Sequence, residues 1–377
     1  MSTSQRWLLA GPALLAFALL GCAVQPGHPA APLGSRPATT PSSVAPSATP
    51  PADSPATASA PPSGNVYTTA FPNVTSLSAQ PAGMYVTWSA AGSTSADPPD
   101  AFLTRFAAAT GRVAATRSFG QAFTTKPVAA AGWLWTVLSR PGGAWLLRLD
   151  PLTLATTATT RLAGTDADSQ YGAQPVAYAG AGIWVAGGGQ LVHVSPTSMS
   201  AMRALTLPAR SAGASADGQV LVVSEATATG GTIERRDPVT GALLASYPVA
   251  GVTAPAIESV TSDGAWMAEP TGMLGYVEHF STALAPQPAT EADGTNGIQA
   301  ALADGTLWVT APPGARGLNY CADPVTGQRL ASIPLPDVAQ DTVATIGSAY
   351  VYYTYYSSGG GGGERIGRAQ VPAACLR

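Results

Sequence analysis

The chain has 377 residues, of which 46% are hydrophobic and only 10% charged, with a formal net charge of −3. That length suits two ordinary domains or one large repetitive one. A weakly acidic chain with a single lysine, Lys126, carries no basic stripe able to release counterions, so nucleic acid is excluded as a partner.

The first element is a targeting signal. Arg6 precedes the apolar run from Trp7 to Leu20, and Gly21 and Cys22 follow. As a helix the run would span about 21 Å, short of the ~30 Å hydrocarbon core, so it reads as a cleaved peptide at residues 1–21 rather than a permanent span. The segment Leu19-Leu20-Gly21-Cys22 resembles the lipobox of bacterial lipoproteins. The resemblance implies lipidation of the Cys22 thiol, cleavage before Cys22 and an anchor at the extracytoplasmic face of the cell membrane. Acyl chains contribute roughly 0.8 kcal/mol per buried CH₂, so two or three hold the protein stably. Residues 22–64 continue almost wholly in Ala, Pro, Ser, Thr and Gly. Such a stretch buries too little apolar surface to order itself and reads as a disordered tether, roughly 35 Å long as a flexible coil.

From residue 65 to 377 internal repetition takes over. One landmark is a Gly followed two or three residues later by a bulky residue: Gly83/Tyr85, Gly132/Trp135, Gly182/Trp184, Gly218/Leu221, Gly264/Trp266, Gly305/Trp308 and Gly347/Tyr350. The other is an Asp-Pro-x-Thr-Gly turn, complete at Asp237–Gly241 and Asp323–Gly327 and decayed at Asp150–Thr153, Ser195–Ser198 and Ala109–Gly111. Pro presets φ in this turn and the closing Gly accepts positive φ. In the fourth unit, strands are predicted at Ala212–Ala216, Val220–Ser224, Thr232–Arg236 and Ala242–Val249. Units of about 43 residues with four strands predict a seven-bladed, all-β propeller of four-stranded blades. The second-strand aromatics then form inter-blade core. Asn65–Phe71 is a candidate outer strand for the last blade that would close the ring.

The pattern of a second-strand aromatic, an Asp-Pro-x-Thr-Gly turn and an apolar strand resembles the YVTN-type and pyrroloquinoline-quinone-type propeller repeats of bacterial surface and envelope proteins. The resemblance implies cell-surface binding proteins and assembly scaffolds, and also quinone dehydrogenases and lyases.

The search for chemistry gives little. No nucleophile elbow, phosphate loop, paired-histidine zinc site or Cys-x-x-Cys is present. Gly213–Asp217 starts like a nucleophile elbow but falls where a blade needs a turn, and Gly359–Gly363 reads as a flexible hairpin loop. His193 and His279 share a recurring position with Arg105, Arg148, Arg235, Cys321 and Arg368, which places both on third strands, away from the channel. Glu258 and Glu269 are too few for a calcium site. No catalytic residue, metal or cofactor is assigned. Cys321 and Cys375 remain after lipidation, either as one disulfide of an oxidising compartment or as two buried thiols. Among the tyrosines of 350–356, Tyr353, Tyr355 and Tyr356 are candidates for a surface recognising a glycan or protein. The leading expectation is a non-enzymatic, lipid-anchored binding or scaffold module for a protein or envelope ligand. The alternative is a propeller enzyme, a quinone-dependent dehydrogenase or a lyase, and a channel-facing imidazole would favour the lyase.

Overall fold

The computed structural model describes residues 71–376, except 81, 91–97, 108–109, 163–174, 209–210, 228–229, 250–255, 262–263, 272–273, 288–289, 292–298, 304–305, 311–318, 334–338, 347–349 and 357–362. The expected signal peptide 1–21, the lipidation site Cys22 and the linker 22–64 lie outside these residues.

Every sheet is an antiparallel meander. The first holds β1 (Asn73–Gln80), β2 (Gly83–Ser89), β3 (Asp100–Phe106) and β4 (Val113–Gln121). The second holds β5 (Phe123–Thr124), β6 (Val128–Ala130), β7 (Trp133–Arg140), β8 (Gly143–Leu149) and β9 (Thr156–Arg161). Next come β10 (Val176–Ala179), β11 (Gly182–Gly187), β12 (Gln190–Val194) and β13 (Ala201–Thr206) in the third. The fourth comprises β14 (Ser211–Ala216), β15 (Leu221–Thr227), β16 (Gly230–Arg236) and β17 (Leu243–Val249). In the fifth are β18 (Ala256–Thr261), β19 (Gly264–Thr271), β20 (Leu274–Ser281) and β21 (Thr290–Glu291). The sixth has β22 (Gln299–Ala303), β23 (Thr306–Thr310), β24 (Tyr320–Ala322) and β25 (Arg329–Ser332). The last has β26 (Ala339–Ile346), β27 (Tyr350–Tyr356) and β28 (Glu364–Gln370).

This corrects the expectation of seven four-stranded blades. Among the described residues the propeller has five blades of four strands. The other two sheets depart for local reasons. In the second, β5 and β6 both pair with β7, because the inner strand is interrupted around Lys126-Pro127, where proline has no N–H to donate. In the last, β26, β27 and β28 are the strands among the described residues, and a short 3₁₀ turn at Ala373–Cys375 follows β28.

The inner strands β10, β14, β18, β22 and β26 pack each on the next, and β26 packs on β1. Each core cluster straddles two neighbouring sheets. Trp135 and Val137 meet Ile183 and Val194, Trp184 meets Leu221 and Val223, and Val222 meets Phe280. Tyr85, Trp135 and Trp184 are fully buried in these seams. A single four-stranded sheet cannot cover both faces, so the sheets are stable only against one another.

Closure rests on Phe71 and Glu364. Their backbones exchange two hydrogen bonds, each 2.7 Å. The Glu364 carboxylate also accepts the Val74 N–H at 2.8 Å, beside the bulge in β1. Residue 363 must be glycine: its φ is +70°, and a Cβ there would sit 2.4 Å from the Phe71 carbonyl oxygen. Phe71 thus occupies the outer side of β28. Residues 65–70 of the expected closing strand lie outside the described residues.

Removing the carboxylate in Glu364→Ala should leave the buried Val74 N–H unsatisfied and lower the unfolding free energy by about 1–3 kcal/mol, with a smaller loss for Glu364→Gln. Urea denaturation with an unchanged slope would measure this, and an unaltered midpoint in the alanine variant would remove the closing role of the side chain.

Candidate ligand cavity and the latches around it

The repeat turns explain how the sheets are held in register. In each full turn the aspartate carboxylate accepts backbone N–H groups two and three residues on. For Asp237 these are Val239 at 3.0 Å and Thr240 at 2.6 Å, with the Thr240 hydroxyl at 2.8 Å. Those bonds, the Thr240 N–H foremost, hold the Asp237 carboxyl below its ordinary pKa, and Thr153 does the same for Asp150. The residue that closes the turn is left-handed in each: the fifth residue, Gly241 and Gly327, in the full copies, the fifth, Leu154 and Met199, in two decayed ones, and the fourth, Leu284, in the shorter turn that begins at Ser281. The three apolar residues bury their side chains, which offsets the roughly 1–2 kcal/mol cost of that conformation. The Ser281–Leu284 turn is therefore the fifth copy, which its sequence scarcely reveals.

Four of the turns are gripped by the preceding sheet. Arg105 donates through Nε to the Leu152 carbonyl at 2.8 Å. Arg148 reaches the Pro196 carbonyl at 2.8 Å, and Arg235 the Thr282 carbonyl at 2.5 Å. From the second strands, the Tyr85 hydroxyl donates to the Pro151 carbonyl at 2.7 Å and Trp184 Nε1 to the Pro238 carbonyl at 2.9 Å. Strand register pairs the recurring third-strand residue with a fixed second-strand position. The pairs are Tyr85–Arg105, Trp135–Arg148, Trp184–His193 and Val222–Arg235. They continue with Trp266–His279, Trp308–Cys321 and Tyr352–Arg368. Two landmarks read from sequence are thereby corrected: Val222 and Tyr352, not Leu221 and Tyr350, hold the repeat position.

Both histidines lie on third strands, His193 on β12 and His279 on β20. His193 is buried and stacks on Trp184 with centroids 4.1 Å apart and planes 5° from parallel. Its Nε2 has no hydrogen-bond partner among the described residues and faces Gly182, where a Cβ would overlap it. Burial first, and then the Arg203 charge across the ladder on β13, pushes the His193 pKa down.

A cavity of about 370 Å³ lies at the inner strands. It is lined by Val128 and Ala129 of β6, Val176, Ala177 and Tyr178 of β10, and Ala214, Ser215 and Ala216 of β14, with Asp217 and Gly218 of the following turn. Its β10–β14 wall is fixed at one end by an isolated parallel bridge from Ala179 to Gly218, with the Gly180 N–H donating to the Gly218 carbonyl at 3.0 Å. Gly180 also allows the Pro238 carbonyl to approach, since a Cβ there would lie 2.2 Å from that oxygen. Small side chains on the inner strands leave the space, and Tyr178, Ser215 and Asp217 give it polar groups. Sequence reading missed these residues. Asp217 was legible only as a turn residue, and nothing in the pattern marks Tyr178 or Ser215.

The residues singled out from sequence fare differently. Cys321 and Cys375 form a disulfide with Cα atoms 5.8 Å apart, and the Cys375 carbonyl accepts the Thr306 hydroxyl at 2.9 Å. Tyr353 is buried at 5% exposure, and a Cβ on Gly367 would touch its ring. It therefore packs inside the last sheet and belongs to no exposed recognition face, because its side of β27 lies over the glycine of β28. Tyr355 and Tyr356 are on β27, with side chains outside the described residues. Glu258 and Glu269 are on β18 and β19, and their side chains are likewise outside. Among the described residues no group of three or more His, Cys, Asp or Glu could hold a metal ion.

No protein-family model matches the chain, and no curated protein matches its sequence. Solved structures do. The chain is similar to the WD40 domain of Neurospora crassa Pan2, with a TM-score of 0.57 and 10% identity over 81% of this chain and 92% of that one. It is similar to a streptogramin B lyase, with a TM-score of 0.56 and 13% identity over 81% of this chain and 97% of that one. The computationally designed Ika8 protein matches with a TM-score of 0.50 and 14% identity, over 78% of this chain and 84% of that one. At these identities the likeness shows the propeller fold alone.

The buried imidazole gives a signed pH effect. Because the folded pKa of His193 lies below the ~6.5 of an unfolded chain, its contribution is intact above that value and declines as pH falls beneath it. From pH 7.5 to 5, wild type should lose more stability in urea melts than His193→Gln; parallel curves would contradict this.

Proposed function

We propose that this chain is a lipid-anchored envelope protein whose propeller acts as a binding module at the extracytoplasmic face of the membrane. The observation that carries the binding part is the cavity, where polar side chains sit on strands fixed by inter-sheet hydrogen bonds, an arrangement suited to holding a ligand without rearranging. Neither histidine lines that cavity, which is why binding is favoured over the lyase alternative. The anchor rests on the resemblance of Leu19–Cys22 to a lipobox, and the YVTN-type or quinone-type repeat resemblance is kept as the affiliation to test. The Cys321–Cys375 disulfide fits an oxidising compartment. A protein or glycan of the envelope is the partner class, reached across the length of the tether.

In a bacterial expression host, the full chain should partition to membranes and incorporate labelled fatty acid, whereas Cys22→Ala should do neither. Equal labelling of both would contradict lipidation at Cys22. Crosslinking the anchored protein in intact cells, followed by mass spectrometry, should recover a partner that the empty anchor does not.

A further inference from the structure

Apolar side chains exposed singly need no partner, but a cluster of them points to one. Val113, Leu152, Met202, Val239, Leu243 and Leu244 are between 46% and 59% exposed, and all six stand at one end of the first four sheets. Leu152 and Val239 are the third residues of their repeat turns. Val113, Met202, Leu243 and Leu244 lie within the first two residues of the fourth strands, directly after those turns. The turns are side by side, because Arg105 donates to the Leu152 carbonyl, Arg148 to that of Pro196 and the Trp184 indole to that of Pro238. The tips are also held from within, since the N–H groups of Leu152 and Val239 are each taken by the aspartate of the turn at 3.0 Å. Their exposure is therefore a property of the fold.

Charge at this end of the four sheets runs against the chain as a whole. Arg105, Arg112, Arg148, Arg203 and Arg235 are set against Asp150, Asp217 and Asp237, while Arg236 is neutralised by its buried pairing with Glu234. Positive charge is thus in excess here, although the net charge of the chain is −3. Arginine pairs with phosphate through parallel N–H donors, and an anionic lipid surface attracts such side chains. Aliphatic tips set among arginines suit that surface. Each tip can enter the acyl boundary singly while the guanidinium groups stay with the headgroups. A protein partner would ask for something else. Protein interfaces are anchored by Trp and Tyr, with leucine and valine under-represented, and none of the six exposed residues is aromatic.

We propose that this end of the ring rests on an anionic lipid surface, with Leu152, Val239 and their apolar neighbours in the headgroup boundary and the arginines on lipid phosphates. The tether expected from the sequence, roughly 35 Å long, keeps a bilayer within reach. The proposal rests on the membrane reading above only for that proximity.

The test puts a benzophenone side chain in place of Leu152, Val239 or Phe123 in the full chain, irradiates it on vesicles and measures lipid adducts by mass spectrometry. Phe123 is exposed too, but it pairs with Ser139 at the other end of the second sheet and serves as the control. On vesicles of phosphatidylcholine and phosphatidylglycerol in equal parts, adducts at Leu152 and Val239 should exceed those at Phe123 about tenfold. On phosphatidylcholine alone that excess should fall severalfold, and on the mixed vesicles Arg112→Gln combined with Arg203→Gln should lower it likewise. In the unmodified chain, hydrogen exchange at residues 239–244 should slow on the mixed vesicles, a reading that depends on no substitution. Equal adducts at all three positions, no dependence on phosphatidylglycerol, or unslowed exchange would each overturn the proposal. So would crosslinks from Leu152 and Val239 that reach a protein rather than lipid in intact cells. The anchor is scored separately by fatty-acid labelling at Cys22. Label without the adduct pattern ends this proposal alone, and the pattern without label ends the anchor alone.

Discussion

Glu364 bears the constraint on which the rest of this structure depends. A row of thin sheets, each apolar on both faces, has two open ends unless the last meets the first. Glu364 joins them twice, by backbone to Phe71 and by side chain to Val74, residues separated from it by nearly the whole propeller. Phe71, Val86, Phe106, Tyr352 and Ile366 then share one core between the first and last sheets. The disulfide from Cys375 to Cys321 reinforces the neighbouring seam, between the last two sheets.

Within the closed ring, neighbouring sheets are coupled by directional contacts as well as by apolar burial. Arginines on third strands donate to carbonyls of the next turn; for Arg105 that turn is fixed by Asp150, whose carboxyl is held below its ordinary pKa. Between the third and fourth sheets the device changes. His193 replaces the arginine, and Trp184, held flat by the imidazole, donates to the turn instead. The adjoining inner strands carry Ala and Gly where larger residues would close the gap, and the cavity opens there. A ring fixed at its turns can afford a gap at its axis, so binding and architecture are served by different strands.

Much of this was legible in the chain. In the fourth unit the sequence predicts strands at Ala212–Ala216, Val220–Ser224, Thr232–Arg236 and Ala242–Val249, and the structure has them at Ser211–Ala216, Leu221–Thr227, Gly230–Arg236 and Leu243–Val249. Turn chemistry and period fixed those limits locally. The place of His193 and His279 on third strands was legible for the same reason. What escaped was whatever depends on contacts distant in sequence. Strand counts differ from four where Pro127 interrupts an inner strand and where Phe71 stands beside β28, and neither follows from the repeat. Alternation assigns Tyr353 a face of β27 without saying what covers that face, and Gly367 covers it. Leu284 hides the fifth turn because a buried leucine replaces the glycine that marks it, whereas the turns closed by Leu154 and Met199 stay legible through Asp150-Pro151 and Ser195-Pro196. The cavity was invisible, since it arises from small residues on three separate sheets.

The central claim is that the sheets form a closed ring sealed at Phe71 and Glu364, and amide hydrogen exchange on the native protein tests it most directly. If the ring is sealed, the amides of Phe71, Val74 and Glu364 exchange as slowly as those of the inner strands, through global unfolding. Rapid exchange at Phe71 and Glu364, while β10 and β14 remain protected, would show an open array and contradict the account.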